Sequence, residues 1–159
     1  MSERNSRVLT TALPAAITAV GLLAVAVGVF LPWFRSGAVL RDSFQAVGVI
    51  TTLGFLDGTA LEVLLYAWYG VVPAITLSIV SYALGMRATA ATIGAFLAIV
   101  TGTVSGGATV ESSGGDSPLG IAAAGPTTTL IGSALAVLGA VLIVVNGRRG
   151  ASRIAGGEP

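Results

Sequence analysis

Four long stretches of this chain carry no charged side chain, and no other feature restricts its fold as strongly. These uncharged stretches are residues 8–34, 63–86, 88–110 and 117–147. A helix needs about 20 apolar residues to cross a bilayer, and each stretch reaches that length. The predicted spans are 10–32, 63–85, 89–107 and 127–146. The predicted fold class is therefore an all-α membrane protein, with residues 1–159 forming one four-transmembrane-helix bundle.

The scarcity of charge excludes a soluble domain. Of 159 residues, 54% are hydrophobic and 9% are charged, against about 25% charged in an average soluble domain. Such a chain cannot cover a water-exposed surface with polar groups, whereas lipid removes that requirement. The net charge of +1 and the lack of any basic run longer than Arg148–Arg149 predict no nucleic-acid partner, because cationic contacts to phosphates supply much of that affinity.

The first apolar stretch follows Arg4 and Arg7, as the apolar region of a secretory signal peptide would. That region of a signal peptide is only about 7–15 residues long and ends at small residues. The stretch here is longer and ends at Leu31-Pro32-Trp33. We therefore predict that it stays in the protein as a membrane anchor.

The arginines lie mainly on one side of the predicted bundle. Because four crossings place both termini on the same side, six arginines fall in the tails and in the link at Arg87, and only Arg35 and Arg41 fall on the other side. An excess of arginine marks the cytoplasmic side. We expect both termini to be cytoplasmic. The connecting segments are then the cytoplasmic tails 1–9 and 147–159 and the outer loops 33–62 and 108–126.

Aromatic residues gather near the predicted outer ends of the first two spans. They are Trp33, Tyr66, Trp68 and Tyr69. Tryptophan and tyrosine are enriched at membrane–water interfaces, where their rings meet the headgroups. We interpret these four residues as interface anchors, in preference to a ligand-binding set.

Small residues recur at helical spacing in the last two spans. They are Gly94, Ala98, Gly102, Gly132, Ala136 and Ala140. Such faces let helix backbones approach closely in lipid. We predict that the third and fourth spans pack against each other within the chain, with an intermolecular seam as the alternative.

The predicted apolar cores contain no acid and no base. Proton relays, ion-coupled transporters and voltage sensors need charge at membrane depth, so none of these functions is expected. Pro73 falls in the first half of the second span. A proline inside a helix removes a hydrogen bond, so we predict a kink there.

The first outer loop, residues 33–62, is unusually apolar for a solvated segment. Asp42 and Gln45 have the spacing of a helix N-terminal capping box, and Gly54 follows as a helix stop. We expect a short interfacial helix from Phe44, in preference to a hairpin. The candidate partner-binding residues are the polar groups around this helix and one aromatic residue beside them: Arg35, Arg41, Asp42 and Phe44. Contact of these residues with lipid headgroups is the alternative.

The residues offer little material for catalysis. The chain has no histidine, cysteine or lysine, and its acids are spread over loops without a spacing for paired acid and base work. We expect no enzyme activity, no cofactor and no metal site.

The second outer loop contains Ser112 to Pro118, whose composition is typical of a flexible linker.

The first loop carries the one resemblance to known proteins. Leu31-Pro32-Trp33-Phe34-Arg35-Ser36-Gly37, followed by Arg41-Asp42-Ser43-Phe44, resembles the first outer loop of small four-helix membrane proteins of actinobacteria. These include an accessory inner-membrane subunit of the mycobacterial mammalian-cell-entry (Mce) lipid importers. A claudin-like protein is superficially similar, but the cysteines of its loop are missing here.

The resemblance implies a protein of the bacterial plasma (inner) membrane. Its expected function is that of a non-catalytic accessory or assembly subunit of a larger complex, a lipid transport system of the Mce type. The expected partners are membrane lipids and a larger integral-membrane complex such as a transporter permease. The alternative is a small lipid or solute carrier that works as a homo-oligomer.

Overall fold

The computed structural model describes residues 2–54, 57–112 and 119–155, with side chains described over 12–54, 57–110 and 120–146. In these ranges the chain forms six helices and three short strands. In chain order they are α1 (Ser2–Phe30), β1 (Pro32–Ser36), β2 (Val39–Asp42), α2 (Ser43–Leu53), α3 (Ala60–Trp68), α4 (Val71–Ala83), α5 (Arg87–Ser112), β3 (Leu119–Ile121) and α6 (Ala124–Ala155). The predicted mobile linker lies outside the described residues beyond Ser112.

Three of the described helices are long and apolar enough to cross a membrane. The qualifying segments are Ala12–Phe30, Arg87–Val110 and Ala124–Asn146, of 19, 24 and 23 residues. A fourth candidate is the pair α3 and α4, which passes the same test only when its two helices are taken together. These lengths confirm the prediction of a mainly helical protein with membrane-spanning segments.

The predicted second span is broken into two helices. α3 and α4 meet at an angle of 61°, and the break falls at Tyr69 and Gly70. The predicted kink of the second span is present, and it falls three to four residues before Pro73, where the ring of a proline disturbs the preceding turn. Pro73 lies in the first turn of α4, where a helix has no use for the backbone N–H that proline lacks, so the residue is compatible with a helix start.

The helices follow one another around the bundle in the order α1, α6, α5, α4. α1 packs along α6, α6 along α5, and α5 along α4, whereas the contact between α4 and α1 is much smaller. The predicted pairing of the third and fourth spans is present, since Gly102 of α5 lies against Ser133 of α6. α6 makes its most extensive contact with α1, however, which the sequence argument did not predict.

Glycines bring the backbones of α1 and α6 together. A methyl group placed on Gly132 would lie 2.7 Å from the carbonyl oxygen of Gly21 and 2.7 Å from the amide nitrogen of Val25. One placed on Gly139 would lie 2.8 Å from the carbonyl oxygen of Pro14. Without side chains at these positions, van der Waals contact between backbones can drive association in lipid.

Both terminal helices run beyond the predicted spans. α1 begins at Ser2 and α6 continues to Ala155, so much of the predicted tails 1–9 and 147–159 has helical backbone. The predicted C-terminal tail begins at Gly147, and the helical backbone of α6 continues past both Gly147 and Gly150.

Candidate functional site

The polypeptide between α1 and α2 forms a hairpin, and β3, which precedes α6, extends it to a small sheet at one end of the bundle. The three strands have the order β2-β1-β3, with both pairs antiparallel. Gly37, at a φ of 61°, makes the turn between β1 and β2, a conformation that glycine adopts without strain. We call β1, β2, β3 and α2 together the cap. The sheet is a departure from the all-α prediction, in which an interfacial helix was favoured over a hairpin.

The predicted short helix is present as α2, directly after the hairpin. Asp42 caps it, since the Oδ1 atom accepts a hydrogen bond of 2.8 Å from the backbone N–H of Gln45. Gly54 ends it in the left-handed conformation at a φ of 66°. Both signals were read correctly from the sequence because capping depends on residues that are neighbours in the chain.

A buried hydrogen-bond network joins the cap to two helices, α1 and α3. The hydroxyl of Ser43 donates to the carbonyl of Val29 at 2.7 Å and accepts from the indole N–H of Trp68 at 3.0 Å. The indole N–H of Trp33 donates to the carbonyl of Gly28 at 2.8 Å. Ser43 and Trp33 therefore satisfy carbonyls in the last turn of α1, which have no partner within the helix, and fix the cap to the bundle.

Aromatic contacts reinforce the same junction. Trp33 and Trp68 meet edge to face with ring centroids 5.5 Å apart. Phe44 stands 5.2 Å from Phe30 and is stacked on Tyr69 at 5.8 Å. Pairs of this kind contribute about 0.5–1.5 kcal/mol beyond the area they bury. The cap is therefore attached to the ends of α1 and α3 by side chains on both.

The structure separates the four predicted partner-binding residues into two groups. Asp42 and Phe44 have structural roles within the cap. Asp42 is the N-terminal capping residue of α2, and Phe44 contacts both Phe30 and Tyr69. Arg35 is exposed and its Nε atom donates to the carbonyl of Gly37 at 3.2 Å. Arg41 is half-buried. Arginine side chains therefore remain as the part of the predicted set that is available for recognition.

The two arginines lie on opposite faces of the sheet. Arg35 is paired with Leu40 across β1 and β2, whereas Arg41 is paired with Phe34. Residues directly opposite one another in a sheet share a face, and successive residues of a strand alternate between faces. A flat surface on one face of the sheet therefore cannot include both arginines.

The free edge of β2 borders both faces of the sheet, so a partner bound along this edge could contact side chains on either face. β2 is at one end of the strand order, and its residues Val39 and Leu40 are 53% and 55% exposed. On the other face, Arg41 lines a shallow depression of about 340 Å³ together with residues of α2 such as Gln45 and Thr52. An uncovered edge strand with exposed apolar side chains is a template for pairing with another chain.

The predicted interface anchors also fall into two groups. Trp33 and Trp68 are 8% and 5% exposed and pack inside the protein. Tyr66 and Tyr69 are 60% and 49% exposed. The sequence predicted one membrane depth for all four residues. Both tryptophans are buried instead, and each indole N–H donates to a buried acceptor: Trp33 to the carbonyl of Gly28 and Trp68 to the hydroxyl of Ser43.

The predicted small-residue set contacts more helices than expected. Ala98, Ala136 and Ala140 are buried. Gly94 of α5 lies near Ser78 of α4 and Leu22 of α1, rather than near α6. The prediction missed Gly21, Gly28, Gly125 and Gly139. The sequence pattern that could have indicated them is glycine at seven-residue intervals, at 21 and 28 in α1 and at 125, 132 and 139 in α6.

Neither a metal site nor a similarity to a known protein identifies the function of this chain. Over the described ranges, no three acidic side chains come together in an arrangement that could hold a metal ion. No family model matches the chain, and neither curated proteins nor solved structures give a significant match.

Proposed function

We propose that this protein is a non-catalytic accessory or assembly subunit of a larger complex in a bacterial inner membrane. The observation that carries the proposal is the cap: a small sheet fixed to a bundle of apolar helices, with β2 at the edge of the sheet in the described part of the chain and with Val39 and Leu40 exposed on it. This attachment matters because a preformed surface loses little conformational freedom on binding. The cap therefore has the properties of a docking element.

In this proposal the chain crosses the membrane four times, with α3 and α4 together as one broken span. α4 packs along α5 and touches α1 only loosely, in the place that a fourth helix of a bundle occupies, and α3 carries Trp68 to the cap. Six arginines lie in the tails and at the α4–α5 link, against two in the cap. By the distribution of arginine, both termini are cytoplasmic and the cap is on the outer side.

The partner contacts the β2 edge. An extended segment paired with β2 would form main-chain hydrogen bonds and would meet Leu40 and Arg35 on one face of the sheet and Arg41 on the other. Recognition by strand addition combines affinity from the main chain with specificity from alternate side chains. Arginine is also enriched where interfaces carry binding energy.

The complex we propose is a lipid transport system of the Mce type, and the basis for naming it is the resemblance of the first loop alone. In such a system the chain would lie beside the permease and would assist assembly, while the larger subunits move the lipid. The alternative is a homo-oligomeric carrier of lipid or solute. The two functions differ in what the chain binds in native membranes.

The experiment is gentle detergent extraction of the tagged full chain from native membranes, followed by mass spectrometry of what is recovered with it. We expect much larger membrane proteins in the sample. Arg41→Glu and Leu40→Lys, which place the wrong charge or a new charge at the β2 edge, should reduce that recovery, whereas the matched charge reversal Arg153→Glu at the far end of α6 should leave it unchanged.

Thermal melts of the purified variants supply the control for folding. Equal recovery from Arg41→Glu, Leu40→Lys and Arg153→Glu would contradict docking through the cap. Recovery of this chain alone, as a multiple of its own mass, would favour the homo-oligomeric carrier.

A further inference from the structure

The loose contact between α1 and α4 contains an apolar cavity. Its volume is about 260 Å³ and its walls are formed by small residues of α1 and by the second half of α4. The lining residues are Ala15, Ala16, Thr18, Ala19, Leu22, Ser78, Ile79 and Tyr82. Every other adjacent pair of helices around the bundle packs more extensively than this one. The cavity therefore lies at the incomplete seam of the bundle.

α5 closes the cavity from behind. A methyl group on Gly94 would lie 3.2 Å from the Oγ atom of Ser78, 3.5 Å from Leu22 and 3.7 Å from Thr18, all of which line the cavity. Ile79 lines the cavity from α4 and is itself 41% exposed, so the cavity reaches the surface beside this residue. The opening therefore faces away from the bundle, between α1 and α4.

Two of the three hydroxyl groups in the wall, those of Ser78 and Thr18, are already paired. The hydroxyl of Ser78 donates to the carbonyl of Ala90 at 3.0 Å, and that of Thr18 donates to the carbonyl of Pro14 at 2.9 Å. Both side chains are buried. The wall therefore favours an apolar occupant, since a polar ligand would lose water without gaining new hydrogen bonds from these two groups.

A cation lies toward one end of this seam. Arg87 is exposed at the start of α5, seven residues before Gly94 and therefore on the same side of the helix, about 10 Å away along its axis. Tyr82 lines the cavity in the last turn of α4, next to the link that leads to Arg87. An apolar cavity with a cation beyond its end has the polarity of a lipid, whose acyl chain and anionic headgroup are arranged in the same order.

We propose that this seam binds an anionic phospholipid, with one acyl chain in the α1–α4 cavity and the phosphate near Arg87. A narrow chain fits the volume, which is below the range of about 300–1,000 Å³ typical of pockets for drug-sized ligands. The charge distribution selects the lipid, because a cationic side chain near a membrane surface attracts anionic headgroups. The site does not depend on the partner proposed above, since it is built from other helices at the opposite end of the bundle.

Native mass spectrometry of the delipidated full chain tests the proposal, with phosphatidylglycerol and phosphatidylcholine as the added probes. We expect the wild type to retain phosphatidylglycerol in preference to phosphatidylcholine. Ala19→Leu fills the cavity and should abolish retention of both. The matched control is Ala134→Leu on the exposed face of α6, which should bind as the wild type does.

A second variant tests the headgroup without altering the cavity. Arg87→Gln should reduce the preference for phosphatidylglycerol by about fivefold, the value expected for one cationic side chain at a membrane surface, and should leave retention of phosphatidylcholine unchanged. Arg41→Gln in the cap is the charge control and should keep the preference of the wild type.

Two results would overturn the binding of the acyl chain in the cavity, and a third would overturn the position of the phosphate. One is equal retention by Ala19→Leu and Ala134→Leu in samples whose thermal melts match the wild type, because the lipid would then bind elsewhere on the surface. The other is a change of oligomeric state in Ala19→Leu with lipid retention intact, which would identify a transmembrane helix as the occupant of the seam. An unchanged headgroup preference in Arg87→Gln would refute the assigned position of the phosphate.

Discussion

We expect Gly132→Ala to destabilise the bundle, although alanine is the better helix former. The new methyl group would lie 2.7 Å from the carbonyl oxygen of Gly21 and from the amide nitrogen of Val25, whereas ordinary contact begins at 3.4 Å. Both neighbours are backbone atoms, so neither can rotate aside as a side chain would. α1 and α6 must then separate by roughly 0.7 Å along a seam that is otherwise close-packed.

The magnitude follows from comparison with a glycine in open surroundings. Gly107 of α5 has no atom within 4 Å of the position of an added methyl group, so Gly107→Ala should stabilise by about 0.8–1.0 kcal/mol through helix propensity alone. Gly132→Ala has the same gain and, in addition, an overpacking cost of about 1–3 kcal/mol. The two variants should therefore differ in free energy of unfolding by about 1–3 kcal/mol.

The assay is unfolding by sodium dodecyl sulfate in mixed micelles, followed by tryptophan fluorescence and by far-ultraviolet circular dichroism. Gly132→Ala should unfold at a lower mole fraction of the denaturing detergent than Gly107→Ala. Identical transitions in the two variants would refute the close approach of α1 and α6 at this point.

Ser43→Ala should destabilise the protein by about 1–3 kcal/mol, because it leaves the buried indole N–H of Trp68 and the carbonyl of Val29 without this partner; tryptophan fluorescence during thermal unfolding measures the loss, and an unchanged melt would show that the hydroxyl does not hold the cap. Topology is open to single-cysteine labelling, since the chain has no cysteine of its own. An impermeant thiol reagent on intact cells should label Ala38→Cys in the cap and spare Ser152→Cys, and the reverse pattern would invert the proposed orientation.

Local features of the cap could be predicted from the sequence because neighbouring residues determine them. The start of α2 follows from the spacing of Asp42 and Gln45, and its end follows from Gly54. The hairpin before it could not be predicted with the same certainty, because β1 also pairs with β3. Leu119–Ile121 is distant in sequence from Pro32–Ser36, and no local pattern in a three-residue strand indicates its partner.

Helix pairing was predictable only in part for the same reason. Spacing of small residues identifies a face of a helix but not the helix that it meets. Gly132 was assigned to contact with the third span, whereas the structure places it against Gly21 of α1. Likewise, the depth of Trp33 and Trp68 was inferred from position along a span, which carries no information on whether a ring faces lipid or protein.

The pairing of the first helix with the last has a consequence for biosynthesis. α1 ends at Phe30 and α6 begins at Ala124, more than ninety residues later. At a synthesis rate of about 5–20 residues per second, α1 remains in the membrane for roughly 5–20 s before its main neighbour emerges. During that interval the glycine face at Gly21 and Gly28 is open to helices of other proteins.

β1 has the same delay, since β3 immediately precedes α6 in the chain. Closure of the bundle and completion of the sheet are therefore late and simultaneous events, set by arrival of the last segment. A ribosome that stalls before Leu119 would leave in the membrane a set of helices that lacks both the main neighbour of α1 and one strand of the cap.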